Sequence, residues 1–273
     1  MKLPTVTDET IKKITDWKAL VKKSGTHQPF VRVSDVRKMG RRFLFQCPKQ
    51  NRAVHLLSTG EYRAYQMLIW LPSTLRIWEQ MPLDLNQTLK ISAEMGFIHP
   101  RDWKKNTAHV MSTDFLITVL HTETRQTSKI AYSFKNFNKL YKIKDGELKR
   151  INVRTWQKLA IEAEYWRQKG VEYRIITEKD ATKQMCMNLD WFKSEHDAKV
   201  SGLELKEFCF LFIESWKRNH KLRIEHHLDF IRAKLNISFK QAQTIFKYAA
   251  LHKILPLDIS TRLMLNRPVR LVL

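Results

Sequence analysis

The chain has 273 residues, 43% of them hydrophobic, which is enough for two domains with real cores and too apolar for a disordered tail. Its 49 Lys+Arg against 27 Asp+Glu give a formal net charge of +22, which favours polyanionic partners, nucleic acid first and an anionic membrane surface second. No apolar run approaches the roughly 20 residues that span a bilayer, and the N-terminus lacks the apolar core of a signal peptide, so the expectation is a cytoplasmic chain without a membrane partner.

Residues 8–23 place Ile11, Ile14, Leu20 and Val21 at helical spacing beside Trp17 and predict a docking helix. Asp8, Glu9 and Asp16 interrupt its positive charge, unlike a transit peptide. A basic segment follows through Arg32, Arg37, Lys38, Arg41, Arg42 and Lys49, either a phosphate-contacting edge or a solvated loop. FLFQC at 43–47 and AVHLL at 53–57 predict short strands about a polar turn. Residues 58–70 predict a helix opening with Ser58 and Glu61 in capping-box spacing. The cap alone explains Glu61; a glutamate early in a helix beside the sheet also suits a metal carboxylate. Residues 74–85 read as a strand with Leu75, Ile77 and Glu79 alternating and Pro82 ending it, and 86–107 as an irregular insertion.

The stretch 109–136 predicts two consecutive strands. The first, 110–120, is an apolar run interrupted by Asp114, an acid that needs a neutralising partner because an unpaired buried carboxylate costs several kcal/mol. The second, 129–135, returns after a polar turn and carries Ser133 and Lys135 on one face by the two-residue strand period. Aspartate on one strand and lysine on its neighbour suit a metal-dependent phosphodiester hydrolase, in which the acid holds a divalent cation and the lysine positions water. The same pattern also fits an ordinary hairpin with a surface lysine.

Beyond Lys135 come Lys139, Lys142, Lys144, Lys149, Arg150, Arg154 and Lys158, interleaved with Phe137, Tyr141 and Trp156: a backbone-tracking surface with rings for base stacking, or a loop whose aromatics anchor it to the core. Residues 152–170 read as a helix with Val153, Trp156, Leu159, Ala160, Ala163 and Trp166 in its apolar stripe, followed by a strand at 171–177, hence an α/β sheet with a crossover helix. Three amphipathic helices follow from about residue 204, and the ILPLDIS and RPVRLVL runs supply the two strands of a wing. That is a winged-helix order with 238–253 as recognition helix and Gln241, Gln243 and Lys247 as a modest set of base readers. Residues 201–273 carry only +7 of the net charge, so docking to protein is an equal alternative to DNA for this part. Cys47, Cys186 and Cys209 are odd in number and scattered, against a disulfide framework or a zinc finger, and adjacent His226 and His227 diverge on a helix and make a poor metal pair.

Around Glu61, Asp114 and Lys135 the chain resembles the TnsA-type endonucleases, components of heteromeric cut-and-paste transposases that cut the non-transferred strand at the element's ends. The resemblance rests on VHLLSTGE at 54–61, IWEQMPL at 77–83, HVMSTDFL at 109–116 and KLAIEAEYWRQKG at 158–170, in that order; EQMPL and VMSTDF are fairly specific. It implies an α/β fold with a restriction-endonuclease-like mixed sheet in 1–178 and a winged-helix domain in 179–273. It further implies Mg²⁺, or Mn²⁺ in its place, on Glu61 and Asp114, with the Phe134 carbonyl as a further ligand, Lys135 near the attacking water and Glu162 as an accessory acid. The residue reading of Glu162 is a flanking acid paired with Lys158. One departure is Ser133, where the family places glutamine and related nucleases an acid; serine is a shorter, poorer ligand, so water fills the gap or metal binding weakens. Implied partners are double-stranded DNA at transposon ends, a TnsB-like DDE transposase and a TnsC-like AAA+ regulator bound by the C-terminal domain, in a bacterial cytoplasm at the nucleoid. The rival reading is a non-catalytic basic DNA-binding adaptor.

Overall fold

The computed structural model describes residues 3–36 and 40–272, so Arg37 and Lys38 of the basic segment lie outside the described residues. The chain divides into two compact units, Met1–Tyr65 with Ser73–Asp180, and Gln66–Pro72 with Ala181–Leu273.

The first unit opens with helix α1 (Asp8–Ser24), started by the Thr7 hydroxyl accepting from Thr10 N and stopped at Gly25, whose φ of 64° only glycine adopts without strain. None of its residues is fully buried; Trp17 tethers it by donating Nε1–H to Gln28 O at 2.8 Å. Strands β1 (Phe43–Cys47) and β2 (Arg52–Leu56) form the expected hairpin. Helix α2 (Thr59–Ile69) leads into β3 (Thr74–Pro82). Leu75 does not alternate with Ile77 and Glu79 as the sequence suggested: the register slips between Thr74 and Arg76, which leaves Leu75 47% exposed while the other two are buried.

The segment read as an irregular insertion contains helix α3 (Leu85–Glu94), capped by Asp84 accepting from Gln87 N at 2.8 Å, and a short hairpin of β4 (Arg101–Asp102) and β5 (Thr107–Ala108). Then come β6 (Ser112–Leu120), β7 (Thr127–Phe134), the single turn α4 (Phe137–Leu140), β8 (Tyr141–Lys144), β9 (Glu147–Arg150), helix α5 (Val153–Gln168) and β10 (Glu172–Ile176). The main sheet has the order β10-β7-β6-β3; β7 pairs antiparallel with β6 and parallel with β10, and α5 provides the crossover a parallel pair requires. Leu116 and Ala131 of the sheet pack with Ile91 of α3 and with Ile161, Tyr165 and Trp166 of α5. Burial of each such large apolar side chain contributes about 1.5–3 kcal/mol.

One expectation is corrected and one alternative favoured. The buried face of α5 is Leu159, Ile161, Glu162, Tyr165 and Trp166, whereas Val153 is 71% exposed; an acid inside the apolar face hid the true stripe. The aromatics of 137–156 anchor the β8–β9 hairpin, as one of the two readings had it, with Tyr141 5.1 Å from Phe137 and 5.5 Å from Trp156.

The second unit contains α6 (Lys183–Phe192), which periodicity did not reveal, a 3₁₀ turn at Lys193–Glu195, α7 (Gly202–Arg218), α8 (Ile224–Leu235) and α9 (Phe239–Leu251). Phe192, Phe208, Phe212 and Phe246 form its buried centre. Residues 66–72 supply Trp70, buried against His196 at 6.1 Å. Ser238 and Gln241 form a capping box at the start of α9. That commits Gln241, and Lys247 lies 3.6 Å from Glu195, so neither stands as a spare base reader. The two wing runs do not form strands: they meet at one bridge, Leu257 with Leu271, backed by Asp258 N to Arg270 O at 2.9 Å and Val272 N to Pro256 O at 2.7 Å. Pro256 and Pro268 remove donors that a ladder would need. Cys47, Cys186 and Cys209 form no disulfide, and His226 is exposed while His227 is buried beside Ser215. Among the described residues no helix is long and apolar enough to cross a membrane.

Candidate active site

The β6–β7 ladder ends where Phe115 faces Tyr132. One residue further, the Asp114 side chain takes over the role of a ladder acceptor: Oδ2 accepts from Phe134 N at 2.7 Å. On the other side of β7, Ile176 of β10 faces Phe134 and accepts from Lys135 N at 2.9 Å. Lys135 is therefore fixed at the backbone just past the strand end. Its Nζ donates to Phe134 O at 2.7 Å and reaches Asp114 Oδ2 at 3.5 Å, with both side chains partly open to solvent.

Glu61 enters from the first turn of α2. Ser58 Oγ accepts from Glu61 N at 3.1 Å, as a cap should, but the reciprocal half differs from a simple capping box. Glu61 Oε2 accepts from Leu57 N at 2.9 Å, and Oε1 from Ser58 Oγ at 3.0 Å. The preceding Gly60 lets α2 lie directly on the Phe134 ring: a Cβ there would sit 1.9 Å from ring carbon Cε1. That contact holds Glu61 beside the β7 end.

Gln80 completes the frame, and sequence reading did not single it out. It lies between the Glu79–Phe115 and Met81–Thr113 pairs, level with Asp114, at a φ of 49°. Such a left-handed backbone at a non-glycine residue costs on the order of 1–3 kcal/mol and is characteristic of functional sites. Its amide accepts from Ser112 Oγ at 3.1 Å and donates to Glu61 Oε2 at 3.2 Å, tying β3, β6 and α2 together. The only sequence signal was its place in EQMPL; alternation along a strand cannot reveal a positive φ.

Glu162 reaches the sheet from α5 and is buried. Its Oε1 accepts from Ser133 Oγ at 2.6 Å and Thr113 Oγ1 at 2.8 Å, and Thr113 in turn accepts from Trp166 Nε1 at 2.7 Å. This replaces the surface pairing with Lys158 that helical spacing suggested.

The electrostatics follow from three acids around one lysine. Burial, then the nearby Asp114 carboxylate, push Glu61 up to about 7 against the pull of the Leu57 N–H, Ser58 and Lys135. Burial and Asp114 likewise push Glu162 up, opposed by Ser133, Lys135 and Thr113. Burial works against the Lys135 ammonium, yet Asp114, Glu162 and Glu61 outweigh it and hold its pKa above the usual lysine value. Glu79 shows the contrast: also buried, it is neutralised by Arg52, with Nη1 2.9 Å from Oε1, and leaves nothing to attract a cation.

The donors at the β7 end are hard oxygens with surplus negative charge, which fits Mg²⁺ or Mn²⁺. Among the described residues no three His, Cys, Asp or Glu side chains converge as a ready metal cage. A cation here would rest on few protein carboxylates, a carbonyl and water, the usual manner of Mg²⁺.

Residues 71–178 match the family described as TnsA-like endonuclease N terminal, a span that includes Asp114, Ser133, Lys135 and Glu162 and begins after Glu61. The chain is 31% identical over 174 residues to the transposon Tn7 transposition protein TnsA of Escherichia coli, an alignment covering 64% of this chain and 58% of that protein. The chain thus matches somewhat over half the length of this relative. Residues 71–178 are thus similar to the TnsA-like N-terminal endonuclease family, and the chain around them to the Tn7 protein TnsA.

Proposed function

We propose that the chain is a metal-dependent DNA endonuclease subunit of a Tn7-like transposition system, hydrolysing the non-transferred strand at transposon ends. The observation that carries this reading is the meeting of Asp114 and Lys135 at the end of β7, within the span similar to the TnsA-like family, with Gly60 packing the start of α2 and so Glu61 against the Phe134 ring. Glu61, Asp114 and the Phe134 carbonyl would hold Mg²⁺ or Mn²⁺. When bound, that cation supplies Lewis-acid polarisation of the phosphate and a more acidic water. Lys135 orients the attacking water and offsets charge that builds on the phosphoryl oxygens. Hydrolysis breaks one P–O bond and leaves a phosphate monoester and a hydroxyl. Gln80 positions Glu61, and Ser133 with Thr113 positions Glu162.

Ser133 also bears on the adaptor reading. Had the position two before Lys135 simply lost its acid, a catalytic role would be in doubt; instead Ser133 donates to Glu162, so a carboxylate from α5 serves that part of the site. This favours the enzyme. The second unit is proposed as a helical docking module for a AAA+ regulator, with a DDE transposase partner cutting the other strand. The basic excess of residues 1–200 supports DNA contact by the first unit. Cation-dependent nicking of transposon-end DNA, lost in Asp114→Ala while DNA binding persists, tests the enzyme reading; binding without any nicking by the unaltered protein would select the adaptor.

A further inference from the structure

Trp103, in the turn joining β4 and β5, is 67% exposed, unusual for the largest apolar side chain. It is nevertheless held in place. The Arg101 guanidinium lies 5.1 Å from its ring centroid and that of Arg154, from the first turn of α5, lies 5.7 Å away, within cation–π range. The turn itself is rigid: Asp102 Oδ1 accepts from Lys104 N at 2.8 Å and Lys105 N at 3.1 Å, and Asn106 Oδ1 accepts from Arg101 Nη1 at 2.7 Å. Arg154 is steadied by a neutral partner, donating Nη1–H to Gln157 Oε1 at 2.7 Å. A second ring–cation pair lies two positions along α5, where Trp156 carries the Arg150 guanidinium at 4.4 Å, next to the β8–β9 hairpin, which begins six residues after Lys135. Trp103 and its two guanidinium groups form a ridge of ring and cations close in sequence to the site, since β5 leads into β6 and Asp114.

We propose that Trp103, clamped by Arg101 and Arg154, is the anchor by which the first unit grips the DNA duplex beside the scissile phosphate. The choice of DNA over a protein partner rests on charge: Arg101 and Arg154 lie against the indole, Lys104 and Lys105 follow it in sequence, and residues 139–158 add six further basic side chains against two acidic ones. Guanidinium groups match phosphate oxygens, and an indole edge packs on sugar and base without sequence preference. The assignment rests on the DNA-cleaving reading above and gives it a docking surface.

The test uses the full chain and a duplex carrying a transposon end, with Trp103→Ala, Trp103→Phe and Arg154→Ala, none of which touches Asp114, Lys135 or Glu61. Binding is measured across about 50–200 mM salt, and nicking at saturating DNA with Mg²⁺. Trp103→Ala should weaken binding by about tenfold at an unchanged salt slope, with Trp103→Phe recovering most of it. Arg154→Ala should weaken binding and lower the slope by about 0.9, one phosphate contact. Nicking at saturation and thermal midpoints should match the unaltered protein. If Trp103→Ala binds DNA normally while the unaltered protein nicks, the anchor is overturned and the nuclease stands; if it instead loses only a transposition partner protein, the ridge is a protein-docking surface and the proposal fails. If the unaltered protein never nicks but Trp103→Ala still weakens binding, the anchor holds and the nuclease reading falls.

Discussion

Ser133 Oγ donates to Glu162 Oε1 across 2.6 Å, linking the penultimate residue of β7 to a helix residue 29 positions later in the chain. The residue that looked like a deficient metal ligand is the partner of a buried carboxylate. Ser133 is 1% exposed, and no room remains for a longer side chain. Ser133→Glu should therefore destabilise the first unit by about 3 kcal/mol or more, because it adds volume and a second charge against Glu162. Ser133→Ala should cost about 1–3 kcal/mol from the weakened satisfaction of Glu162, and reduce nicking less than Asp114→Ala does. Thermal melts and initial nicking rates check both; a Ser133→Glu protein of normal stability with tighter cation binding would show that the serine faces the metal instead.

Gly60 has no room for a methyl group. A Cβ would overlap Phe134 ring atoms at 1.9 and 2.2 Å, so Gly60→Ala must push α2 and Glu61 off the β7 end or displace the ring. Overpacking of this kind costs about 1–3 kcal/mol. Nicking should fall at least tenfold, with the loss larger than the small change in melting predicts. Full activity in Gly60→Ala would show that the Glu61 position is not critical.

Glu61 gives the cation-free protein a pH signature. Its carboxyl titrates at the ordinary 4.5 when unfolded and at about 7 when folded, so the folded chain holds that proton more tightly. Its contribution is therefore most favourable below about 4.5 and is lost as pH rises through about 7, by about 3 kcal/mol. Glu61→Gln should flatten that part of the melting-temperature profile, and Mg²⁺ should restore stability to the unaltered protein above pH 7. Parallel pH profiles for the two proteins would refute the assignment.

The second unit includes residues 66–72, which lie before most of the first unit in the chain. A fragment of 181–273 alone lacks the buried Trp70 and its contact with His196. It should melt lower and less cooperatively than the same unit in the full chain; equal melting would show that residues 66–72 contribute nothing to it.

Much of this architecture was legible because local signals agreed. The FLFQC and AVHLL runs became β1 and β2, and the Asp114 and Lys135 runs became the sheet's central pair. What was hidden depended on long-range contacts. Gln80 has an unremarkable sequence setting, and its φ of 49° is imposed by Phe30 N bonding to its carbonyl and by the bonds of its amide to Ser112 and Glu61. Glu162 read as a surface acid because helical spacing offers Lys158, whereas the hydroxyls that hold it lie 49 and 29 residues away. The wing strands failed for a local reason, the prolines at 256 and 268, that alternation of apolar residues overrode in the sequence reading.

The central claim is that Asp114 belongs to a nuclease site cutting one strand while a partner cuts the other. The most direct measurement maps breaks by strand at a transposon end, with Mg²⁺ and the full partner set, for the unaltered chain and Asp114→Ala. The account predicts double-strand breaks and simple insertions for the unaltered chain. For Asp114→Ala it predicts transferred-strand joining alone, with donor and target left covalently linked. Double-strand breaks made by a folded, partner-bound Asp114→Ala protein, or loss of transferred-strand joining in it, would contradict that division of labour.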